Sequence, residues 1–175
     1  MPRLGPDPLR YEAGSLPSDR ERERSNDPAG ERARDDADAL NRFVEAQAGA
    51  YEQALAELRE GRKRSHWMWF VFPQIAGLGS SPMARLYAIR SLAEARAYLA
   101  HPLLGERLLA CTRAVNAWEE RSANAIFSAP DDVKFCSCMT LFGRADPGRP
   151  DFAQALAAFF GGRPDPLTLE RLGES

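Results

Sequence analysis

From Leu40 onward the large apolar residues return at three- and four-residue intervals, with Leu40, Phe43, Val44, Tyr51, Leu55 and Leu58 on one stripe that also takes in Gln47. That period fits one face of a helix and not the two-residue alternation of a half-buried strand. Arg42, Glu45, Gln53, Glu57 and Glu60 fall on the polar side, as a surface helix requires. Asp36 or Asp38 supplies an N-cap and Gly61 a stop, so the spacing predicts a helix reaching about Arg59.

The same period recurs to the end of the chain. Trp67, Met68, Trp69, Phe70, Val71 and Phe72 form a continuous apolar run that suits a buried strand or a buried helical turn. No second strand-like run exists to pair with it, which favours helix. Ser81 followed by Pro82 predicts a helix start, with the apolar pattern continuing through Leu99. Pro102 ends that helix, and Leu104, Leu108, Cys111, Val115 and Trp118 mark the next. A short turn follows at 122–127. Asp131 or Asp132 caps a helix carrying Phe135, Met139 and Phe142, and Asp151 opens one that Gly161 and Gly162 close. A last turn spans 165–172. The expected fold is all-α, one compact domain of about six helices with short connections.

The first 38 residues differ in kind. They hold seven Arg, no Lys and ten Asp or Glu among five prolines, and almost no large apolar side chain. Such a segment cannot bury enough surface to offset its chain entropy, so it is expected to be a disordered tail, with the domain at 39–175. The tail carries a net charge of −3 and the remainder +1, a balance that argues against a duplex nucleic-acid surface. No apolar run reaches bilayer length and no signal-peptide pattern opens the chain, so a cytoplasmic protein without membrane contact is expected. Three cysteines, Cys111, Cys136 and Cys138, fit reduced thiols. Cys136 and Cys138 are two apart and point to nearly opposite faces of a helix, which makes no zinc site, and no metal is expected.

The chemistry concentrates in GRKRSHWMWFVFPQIAGLGSS, at 61–81. Gly77, Gly79, Ser80 and Ser81 precede a helix start, where free N–H groups favour an anion, and Arg62, Lys63 and Arg64 add charge nearby. The glycine pattern matches neither the Walker loop nor the dinucleotide fingerprint, and an ordinary capped loop is the simpler alternative. Trp67 offers a stacking face at the charged end of a run that otherwise belongs to the core. His66 stands at the same junction and can act as acid or base, with Asp132 as its partner. His101, at a helix end, has a role with the last carbonyls instead. Lys134 and Ser137 lie one turn apart on one helix, on a polar stripe that faces water or lines a pocket.

These motifs, together with RFVEAQ, YAI, HPLLGERL, PDDVKFCSCMTLF, FFGG and DPLTLERLG, resemble the DUF1810 family, small bacterial proteins sometimes labelled calpastatin. The resemblance runs from about Leu40 to Gly173. It implies a mainly helical single domain and no assigned activity, cofactor or substrate, so no catalytic residue is carried over. The family usually has Lys-Leu-Arg-Ser-Ser where this chain reads 134–138 as KFCSC, which weakens any role for a charge at Cys136.

The residues together point to binding, with processing as a further step, of a phosphorylated ring-containing small molecule such as a nucleotide or an ADP-ribose derivative. Whether the chain is an enzyme stays open, and the residues specify no cofactor. Two alternatives stand beside it: a protein-interaction module using the basic and aromatic surface, and a binder of single-stranded RNA through 62–69. The first reading requires 62–67 and 77–82 to meet at one cleft.

Overall fold

The computed structural model describes residues 28–174. The chain divides into two units after Arg34. The expected tail therefore lies largely outside the described residues. Helix α1 covers Pro28–Ala48, starting well before the predicted cap at Asp36 or Asp38. Proline at the first position and the run of Ala, Glu and Arg behind it explain the earlier start, since these residues favour helix even where none is buried.

The other helices are α2 (Tyr51–Arg59), α3 (Met68–Val71), α4 (Pro82–Leu86), α5 (Leu92–Ala100), α6 (Leu104–Asn116), α7 (Ala123–Phe127), α8 (Asp131–Ala145), α9 (Pro150–Phe160) and α10 (Pro166–Arg171). The all-α class is as expected, and no strand occurs among the described residues beyond a single bridge of Ile75 with Ile89. There are more helices than the periodicity gives, because two long predicted helices are broken.

α8 is the centre of the fold. It packs against α5, α7, α9 and α10, while α6 packs against α2, α3, α5 and α9. Phe135, Cys138, Met139, Leu141 and Phe142 of α8 are all buried, and with Ser137 and Thr140 also inside, polar groups are enclosed along with apolar ones. A helix buried nearly all round must sit between layers and not on a surface. Phe135 rests on Phe127 at 4.8 Å between ring centres and meets Phe72 edge-on at 5.1 Å, so α8 joins the 67–72 segment to the rest of the core. α5 and α6 approach so closely that a Cβ on Gly105 would lie 2.1 Å from the Leu99 carbonyl oxygen. His101 turns the chain between them. Its Nδ1 accepts from the N–H groups of Leu103 and Leu104 at 3.1 and 3.3 Å, opening α6 where the sequence had suggested a role at the end of α5.

The first break falls at Gly49–Ala50, between α1 and α2. It leaves Gln47 inside the core, where its Nε2 donates to Phe70 O at 2.7 Å and to the Tyr98 hydroxyl at 3.0 Å. The second divides the helix predicted at 82–99. Past α4 the chain runs extended: Ile89 N donates to Gln74 O, and Ala76 N to Ile89 O, both at 2.8 Å. Arg42 makes this stable. Its Nε donates to Leu86 O at 2.9 Å and its Nη2 to Ala88 O at 2.8 Å and to Glu94 Oε1 at 2.6 Å, and it also reaches Ala39 O. The guanidinium thus takes carbonyls that a continued helix would have bonded itself. Ser91 then restarts the helix by accepting from Glu94 N at 3.1 Å.

Arg42 and Glu94 are 14% and 5% exposed, so removing Arg42 leaves a nearly buried carboxylate with only the longer contact to the exposed Arg90, 3.9 Å away. Arg42→Ala is expected to lower stability by about 3 kcal/mol, read from the urea midpoint. Arg42→Lys should recover little of it, since an ammonium cannot span the same fork of acceptors.

Candidate functional site

The basic run leaves α2 and folds back over Glu57. This side chain is only 3% exposed, and its carboxylate accepts from Arg64 N at 2.8 Å, Ser65 N at 3.1 Å, Ser65 Oγ at 2.6 Å and Trp67 Nε1 at 2.9 Å. Burial by itself raises a carboxyl pKa, but the Ser65 hydroxyl, the Arg64 N–H, the indole and the Ser65 N–H outweigh it and hold Glu57 down at about 2. The loop's N–H groups converge on an anion that the chain supplies itself.

Trp67 is 1% exposed, with its indole on Glu57. The expected stacking role for Trp67 is therefore corrected, because a ring enclosed on both faces receives no ligand. Trp69, two residues on and pointing the other way, is only half-buried. Lys63 Nζ donates to Ser65 O at 2.6 Å, lies 3.0 Å from Asp131 Oδ2 and stands 5.1 Å from the Trp67 ring centre. Lys134 Nζ approaches the other oxygen of Asp131 at 3.2 Å and stands 5.5 Å from the centre of Trp69. Asp131 thus couples the basic run to α8. Arg64 pairs with Glu60, whereas the side chains of Arg62 and His66 are exposed and make no hydrogen bond or ion pair among the described residues.

The 74–81 loop meets Trp69 and Lys134 but none of residues 62–67, so the basic run and the glycine loop do not line one cleft as expected. Trp69, Gln74, Gly79, Tyr87 and Lys134 line one recess whose free volume is about 10 Å³, room for about one water. Within the predicted set, Gly79 and Lys134 therefore share a site. The other loop features have local explanations. Gly77 has φ +94°, and a Cβ there would lie 2.7 Å from Arg171 Cζ, whose Nη2 donates to Gly77 O at 3.2 Å. Ser81 Oγ caps α4 by accepting from Ala84 N at 3.1 Å, so that hydroxyl is committed. Ser80 is exposed.

Two further expectations separate from the recess. Asp132 accepts from Asn124 Nδ2 at 3.1 Å and from Val133 N at 2.9 Å, and not from His66. Ser137 is buried, and its hydroxyl donates to Asp165 Oδ2 at 3.0 Å, so it does not join Lys134 on a common polar face. Asp131 and Asp132 sit in the first turn of α8, whose N-cap is Pro130 and not either aspartate. Among the described residues no cluster of His, Cys, Asp or Glu is placed to hold a metal ion, and no helix is long and apolar enough to cross a membrane.

Fold and site define a small α-helical domain organised around a buried carboxylate, with a lysine–tryptophan recess at the start of its central helix. The match to the family model described as "Protein of unknown function (DUF1810)" covers residues 37–172, and the chain belongs to that family. A solved structure described as the conserved hypothetical protein Rv1873 from Mycobacterium tuberculosis is 55% identical, with a TM-score of 0.76, over 78% of this chain and 97% of that one. No curated protein matches.

Because the folded pKa of Glu57 lies below its ordinary 4.5, the group stabilises the fold fully above that value. Its contribution disappears as pH falls toward 2, a loss of about 3 kcal/mol. Urea titrations from pH 7 to pH 2 should show this loss in the parent chain and a shallower dependence in Glu57→Gln, which starts less stable at pH 7. Parallel pH profiles would assign the acid sensitivity to other groups.

Proposed function

We propose that this domain binds a phosphorylated, ring-containing small molecule, of the nucleotide or ADP-ribose class, across the mouth of the Trp69–Lys134 recess. One observation supports this most: a half-buried ammonium held 5.5 Å over a half-buried indole, beside a glycine of the loop. A cation next to an aromatic face receives a phosphate and a ring together. Lys63, held on the same aspartate as Lys134, adds a second positive charge nearby. His66, exposed at the end of the basic run, is the group available as acid or base for any processing step. The free volume accommodates a ligand only when the exposed 77–81 loop or the Lys134 side chain moves aside, so the ligand rests on the mouth and not in a deep cavity. The burial of Trp67 removes much of the aromatic surface that a protein partner or single-stranded RNA would use along 62–69. The three free thiols suit a reducing cytoplasm.

Thermal shift with AMP, ADP-ribose and ribose 5-phosphate, set against adenosine, tests the reading. A ligand at a hundred times its Kd adds about 2.7 kcal/mol, and only the phosphorylated compounds should do so. Lys134→Ala is expected to weaken binding about tenfold or more, the loss of a hydrogen bond to a charged group. No stabilisation by any of the three, or equal stabilisation by adenosine, rejects the proposal.

A further inference from the structure

On α8, at Val133 and Cys136 on either side of Lys134 in sequence, a second and larger feature opens. Val133, Cys136, Phe159, Phe160, Pro164 and Pro166 wall a groove of about 420 Å³, with Arg163 and Asp165 also on its lining. That volume lies in the range of small-molecule sites. Val133 is 58% exposed, although it stands beside two phenylalanines that are themselves only half-buried.

The polar groups are the informative part. Asp165 is 8% exposed. Its Oδ2 accepts from Ser137 Oγ at 3.0 Å, Thr168 N at 3.0 Å and Thr168 Oγ1 at 2.6 Å, while Oδ1 takes no hydrogen bond among the described residues. The Arg163 guanidinium makes no hydrogen bond or ion pair there either. One acid and one base, both with spare capacity, thus stand two residues apart, their Cα atoms within about 7 Å. A ligand with a single charge gains from one and is repelled by the other. A ligand carrying both charges on adjacent atoms, with an apolar body for the phenylalanine walls, satisfies the whole lining.

We infer that this groove is a binding site for a free α-amino acid with an aromatic or large apolar side chain, its carboxylate on Arg163 and its ammonium on Asp165. The site is separate from the Trp69–Lys134 recess and does not depend on it.

Cys136 supplies a readout, since it is half-buried in the groove whereas Cys111 and Cys138 are fully buried. Alkylation of the intact chain by N-ethylmaleimide, followed by mass spectrometry, would be measured with rising L-phenylalanine, phenethylamine or 3-phenylpropionate. Amide chemical shifts at Phe159, Phe160 and Gly161 would be recorded in parallel, because burial and the Asp165 charge push the thiol up to about 11 and slow its reaction. The expected result is saturable protection and saturable shifts with phenylalanine, and at least tenfold weaker effects from either singly charged analogue. Arg163→Gln, on an exposed residue, should weaken phenylalanine about tenfold while leaving the melting temperature of the free protein unchanged. Absence of saturable shifts, equal binding of 3-phenylpropionate, or full affinity in Arg163→Gln overturns the proposal.

Discussion

The carboxylate of Glu57 fixes the positions on which the rest of the site depends. A segment with three basic residues in a row has little reason to adopt one shape, because its charges repel and water solvates them well. Four hydrogen-bond donors from 64–67 closing on one buried oxygen pair remove that freedom. The indole among them sends Trp67 inward. Trp69 is then left at the surface, two residues on, and Lys63 is carried toward Asp131 at the head of α8. Core packing on one side and the recess on the other follow from the same carboxylate.

Arg42 has a comparable role at a distance. By binding the carbonyls of Leu86 and Ala88 it keeps the chain extended where Ile89 pairs with the segment after Pro73. The loop at 76–81 is therefore anchored at both ends, with the α4 cap between. Family membership adds a coarse statement, a helical domain of a family described as of unknown function. The 55% identity with a solved structure covering 97% of that protein extends the same fold to a second chain.

Much of this was legible in residue order. The period from Leu40 to Leu58 gave the long amphipathic helices, and Ser81-Pro82 and Pro102 marked boundaries that hold in the structure. Of the residues that line the recess, Lys134 and Gly79 stand out in the sequence because each is a conspicuous residue type in an odd place. Other features were hidden for physical reasons. Tyr87, Ile89 and Leu92 fit a helical stripe as well as they fit an extended break, and only Ser91-Leu-Ala-Glu94, the spacing of a capping box, signals the restart. Arg42 and Glu57 look like ordinary polar-face residues, since their partners lie 46 and 10 positions away. Trp67 lies at the charged end of its apolar run and so reads as the exposed indole, but Glu57 draws it inward and Trp69 is left half-buried instead. The Arg163 and Asp165 pair went unnoticed because a helix cap and an exposed arginine are common, and their significance lies in the groove between them.

Arg171 donates to the carbonyl of Gly77 across 94 residues of chain. A ribosome releases residues in order, and a contact of such span waits for its later partner. The Arg171 contact with the loop of the Trp69–Lys134 recess therefore forms after the local fastenings at Ile89 and Ser81 have become available. The recess is thus held at one further point by α10, a helix that reaches it from 94 residues along the chain.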